Sequence, residues 1–439
     1  MQKLREPLRS FVNEVCAILG DTDIPTRQWI RVIRETQSSW RTEGEPRLNF
    51  EDALRTAHPT IQALPSFDRV VQIIQGDVDL TASMLVNREK GEPEEEDKQP
   101  YWIWWTFLRP FLERYLTQAQ GPEFDDEIFD STFEQVTSEL EADEPILRLV
   151  SPLSRVQLSD EDIEFEPGLK LRSLSTSEQE KWINSPYFQM LVGGESRSVL
   201  LFSSSCIEVA GHSQLVESAT LLNEAYKRRE RLLLVLRLLT RSPVRTVYTA
   251  EEWRTTLSHK MLPPSGIDFP ISSSSPLLLI DKVVVVGEAE SAQLIDLWHR
   301  LRTSPNTSRA TLALRQWNRG IMRHSRSDKL IDYWVALESL FSPSDRQEFS
   351  FRVPLRVASL IGETPDERED IFKNLRTSYT LRSRIVHGAS PEQEDMRAAV
   401  TNTESYLRRV LLNILESNEH FDPQKIERKI LRDSAPPLD

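Results

Sequence analysis

The stretch TPDEREDIFKNLRTSYTLRSRIVHG, residues 364–388, decides the fold of the carboxy-terminal part of this chain. Thr364 is a residue type that caps helices, Pro365 suits a first helical position, and Glu367 completes a capping box. Apolar side chains then recur at helical spacing, at Ile371, Phe372, Leu375 and Tyr379. Gly388 is a natural left-handed end. The stretch therefore predicts one long helix that stops at Gly388.

Further helices predict that this stretch belongs to a helical bundle. Apolar residues at helical spacing indicate helices over Ser308–His324 and Asp328–Phe341, and a shorter one over Val353–Gly362. A capping box that begins at Ser390 predicts a last helix. The connections between these helices are short, which is typical of an up-and-down bundle.

The residues before the bundle predict a mixed fold. Short apolar runs near turn residues indicate β-strands. These runs are Ile163–Phe165, Leu169–Leu171, Val199–Phe202, Cys206–Val209, Val244–Thr249 and Leu277–Val286. Between them, Ser213–Arg241 is rich in leucine and free of proline and glycine, which favours a helix. The aromatic stretch Tyr101–Tyr115 predicts a buried helix with a bend at its proline.

The fold class predicted for the whole chain is α+β and mostly α, in five segments. The segments are a helical amino-terminal region over 1–120, an acidic linker over 121–147, a mixed α+β domain over 148–290, a helical bundle over 291–420 and a tail over 421–439. The linker is inferred because residues 121–147 hold ten carboxylates and no Lys or Arg, a composition typical of a solvated connector. The same charge would also suit a nucleic-acid mimic that covers a basic surface.

Composition limits the classes of function. The 439 residues carry a net charge of −14, whereas residues 291–420 hold 19 Lys and Arg against 17 Asp and Glu. An anionic partner is therefore expected in the carboxy-terminal part. Cys16 and Cys206 are far apart in the sequence, and neither lies in a Cys-x-x-Cys motif or a Cys/His cluster. This argues against a disulfide framework or a structural zinc site and is compatible with a reducing compartment. The sequence has no long apolar segment, so it predicts a cytoplasmic protein without a membrane partner. We expect no metal and no cofactor.

Basic side chains follow one face of the helix predicted over Ser308–His324. At 100° per residue they lie opposite its apolar face. We call them the arginine stripe, and its members are Arg315, Arg319, Arg323 and Arg326. Between Arg302 and Lys329, seven basic residues accompany a single acid. The stripe is either a solvated helix surface or a surface that binds the phosphates of RNA.

Arg382 and His387 are the candidate catalytic residues. Five residues of helix separate them by about 7.5 Å along the axis and about 140° around it, so one copy cannot easily clamp a phosphate between them. Two copies related by a twofold axis could each contribute an Arg and a His to a shared cleft. A histidine can move the proton of an RNA 2′-hydroxyl, while a guanidinium holds the phosphate as charge develops. That chemistry requires no metal.

Glu338 is the expected neighbour of this pair. It lies among the apolar positions of the helix predicted over Asp328–Phe341, where an unpaired carboxylate would be costly. We therefore expect it to pair with a cation, and Arg382 is one candidate. The same contact supports a purely structural interpretation, in which Arg382 serves Glu338 and His387 is hydrogen-bonded at a helix end.

Residues 312–388 resemble a HEPN domain, specifically the Apea-like branch found in bacterial defence-associated proteins. The match includes the family's Arg-x4-6-His motif, with a polar residue after the arginine. The resemblance is carried by DYWVALESLF at 332–341, RVASLI at 356–361 and, above all, YTLRSRIVHG at 379–388. Residues 168–172 and 176–178 also resemble the segment that precedes this domain in Apea-like proteins.

The resemblance implies a metal-independent ribonuclease that works as a homodimer. Arg382 and His387 would be catalytic, Ser383 would support them, and Glu338 would orient the motif. Arg384, within the motif, is a further candidate RNA-binding residue. A toxin-like effector of antiviral defence is implied. Its amino-terminal regions would sense a trigger, such as a protein or a phage-derived molecule, or restrain the activity.

Two other functions remain open. Some HEPN domains keep the fold without cleaving RNA, so the bundle could instead bind RNA, a nucleotide or a protein partner. The bundle could also act in assembly alone, by dimerising while the middle domain recognises a partner protein.

Overall fold

The computed structural model describes residues 1–34, 40–77, 100–141, 147–154, 156–159, 162–184, 205–211, 218–246, 249–253, 259–262, 283–341, 349–388, 392–426 and 428. Within these ranges the protein is mostly helical with three β-sheets, which confirms the α+β, mostly α fold class. No helix of these ranges is both long and apolar enough to cross a bilayer. The chain divides into two compact units, one of Met1–Arg231 with Arg245–Val286 and one of Leu232–Val244 with Gly287–Asp439.

Helices make up most of the amino-terminal part of the first unit. They are α1 (Arg5–Gly20), α2 (Phe50–Gln62), α3 (Pro65–Gly76), α4 (Pro100–Ile103), α5 (Arg109–Ala119) and α6 (Asp126–Glu141). Their apolar faces share one core. Strands β1 (Thr26–Arg34) and β2 (Trp40–Leu48) form an antiparallel hairpin between α1 and α2. The prediction of a helical region over 1–120 is therefore wrong at this hairpin.

From Ile103 onward the aromatic stretch forms the buried helix that the sequence predicts, whereas Tyr101 and Trp102 are exposed. Trp104, Phe111 and Tyr115 are almost fully inaccessible to solvent. A π-helix over Trp104–Leu108 joins α4 to α5. Pro110 explains this irregular turn, because proline lacks an N–H and its ring clashes with the carbonyl four residues earlier.

The predicted acidic linker is wrong over the residues that form α6. Phe129, Phe133 and Val136 recur at helical spacing on this helix and are buried in the amino-terminal core. Cations from α1 compensate the carboxylates, since Arg9 bonds to both Asp126 and Asp130. More than a hundred residues separate these partners, so a local count of charges does not detect them.

The rest of the first unit is built around a six-stranded antiparallel sheet. In chain order the strands are β3 (Leu147–Pro152), β4 (Val156–Leu158), β5 (Ile163–Glu166), β6 (Leu169–Ser173), β7 (Ser205–Gly211), β8 (Thr249–Trp253), β9 (His259–Leu262) and β10 (Val284–Val286). The six-stranded sheet has the order β5-β6-β7-β3-β8-β9, and β4 pairs with β10 in parallel. Helix α7 covers Thr176–Ile183. Helix α8 covers Ser218–Thr240, and its residues from Leu232 onward belong to the second unit.

Three of the six strand predictions are confirmed, and the end of a fourth forms β10. The three at Ile163–Phe165, Leu169–Leu171 and Cys206–Val209 correspond to β5, β6 and β7. The strand predicted over 244–249 begins later, at Thr249 in β8, and Thr246 forms only an isolated antiparallel bridge with Leu153. Residues 199–202 and 277–282 lie outside the described ranges.

Two arginines and two glutamates join three strands of the sheet to α7. Glu208 on β7 accepts bonds from Arg148 on β3 at 2.8 Å and from Arg172 on β6 at 2.6 Å. Glu178 accepts two bonds from Arg172, at 2.6 and 2.9 Å, and forms a capping box with Ser175. Burial acts to raise the pKa of Glu178, but the bonds from Arg172 outweigh it and hold the pKa at about 2.

We expect Glu178→Gln to lower the free energy of unfolding at pH 7 by roughly 1–3 kcal/mol, because it removes a charge-assisted network. The folded-state pKa is depressed, so this contribution is present above the unfolded value of about 4.3 and is lost as the pH falls toward 2. In urea unfolding, the difference in the free energy of unfolding between wild type and Glu178→Gln should therefore be smaller at pH 3 than at pH 7. Exposed Glu164 supplies the control variant Glu164→Gln, and an equal loss in both variants would contradict the prediction.

The second unit contains the predicted helical bundle. Its helices are α9 (Glu288–Thr303), α10 (Thr307–Met322), α11 (Arg326–Phe341), α12 (Phe349–Ile361), α13 (Pro365–Val386) and α14 (Gln393–Glu416). Both end signals of α13 are confirmed. The Glu367 N–H donates to the Thr364 hydroxyl at 3.2 Å, and Gly388 has a φ of 88°. The predicted cap at Ser390 lies outside the described residues.

Helix α11 packs against α10, α12, α13 and α14. Gly320 of α10 permits a close approach, because a Cβ there would lie 2.3 Å from the ring of Tyr333 on α11. The buried indole N–H of Trp334 donates to the hydroxyl of Ser378 at 3.0 Å, and Thr403 of α14 donates to the same hydroxyl at 3.1 Å. This network holds α13 against both neighbours.

Asn306, just before α10, ties the end of α14 to the start of α10. Its side chain is only 1% exposed. The amide nitrogen donates to the carbonyls of Ile414, Ser417 and Glu419 at 3.0, 3.3 and 2.9 Å, and the amide oxygen accepts the Phe421 N–H at 2.7 Å. We call this arrangement the Asn306 clasp. The clasp could not be predicted from the sequence, because every partner of Asn306 lies more than a hundred residues away.

Candidate functional site

The carboxyl end of α13 carries Arg382, Ser383 and His387 on two different faces. At 100° per residue, Arg382 lies about 140° around the helix from His387. The Arg382 side chain is 22% exposed, whereas His387 is open to solvent. His387 is also the residue at which the helix closes, since its backbone N–H donates to the Ser383 carbonyl at 3.1 Å. The bundle therefore holds the arginine and leaves the imidazole accessible.

The expected contact between Glu338 and Arg382 is present. Oε1 of Glu338 on α11 lies 3.5 Å from Nη2 of Arg382 on α13. Burial raises the pKa of the Glu338 carboxyl, and the charge of Arg382 partly offsets this effect. A cation is thus placed where the apolar surroundings of this carboxylate require one.

Aromatic rings complete the surroundings of Arg382. Its guanidinium lies 5.9 Å from the ring centroid of Tyr379, and that ring meets Trp334 edge-on with a centroid distance of 5.0 Å. The Nε–H of Arg382 is buried and has no acceptor within the described part of the chain. The sequence had placed Tyr379 only on the apolar face of the helix, and its contact with Arg382 was not expected.

The arginine stripe is partly neutralised. Nε of Arg323 lies 3.1 Å from Oδ2 of Asp332, and Nε of Arg319 lies 3.6 Å from the same oxygen. Asp332 is buried on α11, so these two cations compensate a carboxylate that would otherwise be costly. The sequence analysis missed this role. An acid among the apolar positions of α11, as at Glu338, was the signal that could have revealed it.

The other RNA-binding candidates are exposed. Arg315 projects from α10, and no carboxylate in the described ranges pairs with it. Arg326 begins α11 and Arg384 lies on α13, close in helical phase to His387. The arginine stripe and the residues Arg382, Ser383 and His387 therefore lie largely on different helices of the same unit.

The end of α13 carries an anion-binding group, Arg382, and a group that can transfer protons, His387, on different faces of the helix. A guanidinium can hold a phosphate, and an exposed imidazole can take or give a proton. Within the ranges that the structure describes, no three His, Cys, Asp or Glu side chains are grouped to hold a metal ion. Comparisons of the chain with protein-family models, with curated proteins and with solved structures give no match.

Proposed function

We propose that this chain is a metal-independent endoribonuclease of the HEPN type, acting as a homodimer. The observation that carries the proposal is the Arg382–Glu338 pair at 3.5 Å, together with an exposed His387 at the end of the same helix. The bundle fixes the guanidinium, as a phosphate-binding group requires, and leaves the imidazole free to reach a substrate. The buried, unsatisfied Nε–H of Arg382 adds support, because such donors in native proteins are often explained by function.

In the proposed reaction, His387 takes the proton from an RNA 2′-hydroxyl. The 2′-oxygen then attacks the neighbouring phosphorus, and the bond from phosphorus to the 5′-oxygen breaks. A second, protonated histidine gives its proton to that leaving oxygen. Arg382 stabilises the charge that develops on the phosphate, while Glu338 orients Arg382 and Ser383 supports it. The products are a cyclic phosphate and a free 5′-hydroxyl.

The second histidine comes from the partner copy in this proposal. Arg382 and His387 of one chain lie about 140° apart around α13, so they do not converge on one phosphate. A twofold axis near the end of α13 would bring two copies of each residue to one cleft.

We further propose a toxin-like role in antiviral defence, in the cytoplasm. The support is the resemblance of residues 312–388 to Apea-like HEPN domains, together with an acidic first part of the chain. The amino-terminal regions would sense a protein or phage-derived trigger, or restrain the nuclease.

Incubation of the purified protein with total RNA in EDTA tests the proposal, with wild type beside His387→Ala. Wild type should produce fragments that end in a cyclic phosphate, and the variant should leave the RNA intact. Intact RNA with both proteins would favour the alternative, a HEPN module that binds RNA, a nucleotide or a protein without cutting. The Arg382–Glu338 ion pair also suits that alternative, because it occupies the guanidinium in packing.

We expect Arg315→Ala to weaken RNA binding more than Arg323→Ala. The charge of Arg323 is compensated by Asp332, whereas Arg315 is exposed without such a partner in the described ranges. Affinity for RNA with 2′-O-methyl groups, which cannot be cut, should be measured at several salt concentrations. Arg315→Ala should reduce the slope of log K against log salt by about 0.7, and Arg323→Ala should reduce it less. Equal slopes in the two variants would argue against a role for the stripe in binding phosphate.

A further inference from the structure

The exposed face of α13 that carries His387 continues toward the start of the helix. At 100° per residue, Arg376, Thr380 and Arg384 lie within about 80° of one another, with His387 between them in phase. All four are exposed. From residue 371 to residue 388 the sequence contains no Asp or Glu. This part of the helix is therefore a cationic surface.

Some basic side chains of this surface form ion pairs with carboxylates, and others do not. Lys373 forms an ion pair with Glu369 one turn earlier. Arg382 pairs with Glu338. Neither Arg376 nor Arg384 has a carboxylate partner among the described residues, so both charges are available to an anion.

An aromatic pair lies at the far end of the same surface. Phe351, in the first turn of α12, is 46% exposed. Its ring meets that of Phe372 on α13 almost perpendicularly, at 83°, with 5.4 Å between the centroids. The guanidinium carbon of Arg376 lies 5.7 Å from the centroid of Phe372. An exposed ring and an available cation are thus side by side.

We propose that Phe351, Phe372 and Arg376 form a subsite for single-stranded RNA, remote from the bond that is cut. This inference rests on the proposed function and names the substrate class of that site. Aromatic rings stack bases and arginines hold phosphates in proteins that bind single strands. About 22 Å of helix separates Phe372 from His387, a distance that a strand of a few nucleotides spans, with Arg384 along the way. A duplex does not offer its base faces to a ring, so the substrate is unpaired RNA.

The charge of the surface favours RNA over a second copy of the chain as the occupant. A twofold axis through this end of α13 would bring Arg376 of each copy toward the same cationic surface of the other, which is repulsive where no phosphate lies between them, as it does in the proposed active site. The dimer axis of the proposed active site lies at the other end of the helix. The aromatic subsite therefore remains open to a strand that leaves the cleft.

Binding of a twelve-nucleotide single-stranded RNA with 2′-O-methyl groups tests the subsite, using the full-length protein and fluorescence anisotropy. We expect Phe351→Ala to raise the Kd by about fivefold or more, because one base loses its stacking partner. Arg376→Ala should reduce the slope of log K against log salt by about 0.7. The control is Leu312→Ala on α10, because Leu312 is also 46% exposed but is an aliphatic side chain that cannot stack on a base. It should bind as wild type does.

Three outcomes would overturn the inference: no binding of this RNA by wild type, equal affinity of Phe351→Ala and Leu312→Ala, or a change of oligomeric state in Phe351→Ala without weaker RNA binding. The last would identify a surface for self-association. Failure of the proposed function is detected separately, because it is measured as cleavage of unmodified RNA, whereas the binding assay uses RNA that cannot be cut.

Discussion

His387→Ala is expected to lower the rate of RNA cleavage by about 10²- to 10⁴-fold, the usual contribution of a general acid–base group. The imidazole is exposed at the end of α13, and its removal should leave the packing of the bundle unchanged. Single-turnover cleavage of a labelled RNA in EDTA measures the effect. His299→Ala is the matched control, because His299 is an exposed histidine on α9 of the same unit. Equal rates for His387→Ala and wild type would exclude His387 from the reaction.

Arg382→Ala should lower the cleavage rate by a similar factor, since a positioned cation at the phosphate contributes strongly to transition-state stabilisation. This variant also leaves Glu338 without its cation, so the thermal unfolding midpoint must be measured beside the rate. Arg382→Lys separates the loss of phosphate binding from the loss of the ion pair with Glu338. It keeps a charge near Glu338 but loses the planar, bidentate donor geometry of arginine. We expect Arg382→Lys to fold as wild type does and to cleave poorly.

Mixing wild type with His387→Ala tests the composite site. The proposed cleft takes one histidine from each copy, so a heterodimer of these two proteins holds one histidine and lacks either the base or the acid. An excess of His387→Ala should therefore inhibit wild type as heterodimers form. Heterodimers shown by native mass spectrometry that keep half of the wild-type rate would place the whole site within one chain.

Asn306→Asp is expected to destabilise the protein by about 3–5 kcal/mol, more than any other single change considered above. The substitution replaces a donor that serves three carbonyls with a carboxylate oxygen, in a position that is only 1% exposed. Burial should raise the pKa of the new carboxyl, so the loss of stability should grow as the pH rises. Urea unfolding at pH 4 and pH 7 checks both statements. The exposed Asn413 of α14 supplies the control Asn413→Asp, and an equal loss there would contradict the clasp.

Much of the bundle could be predicted because its signals are local. The capping residue Thr364, the apolar face of α13 and the left-handed Gly388 lie within one stretch, and each acts on its own neighbours. The contact of Glu338 with Arg382 was also predictable, because a carboxylate among apolar positions requires a cation. The local sequence pattern was thus enough to predict the helices and one contact between them.

The features that the sequence did not predict share a different physical origin. The carboxylates of α6 resemble a linker until Arg9 of α1 is known to pair with two of them. The arginine stripe resembles a free surface until Asp332 is seen to bind two of its members. In both cases charges that look uncompensated along the chain are compensated by a partner on another helix. Tertiary pairing of charge is what a sequence pattern does not contain.

The Asn306 clasp has a consequence for the order of events during protein synthesis. Asn306 leaves the ribosome more than a hundred residues before the carbonyls and the N–H that it binds at positions 414–421. The clasp therefore cannot close on a nascent chain until translation has passed Phe421. For a chain whose proposed activity destroys RNA, the clasp on the bundle thus forms only after residues 306–421 have all been synthesised.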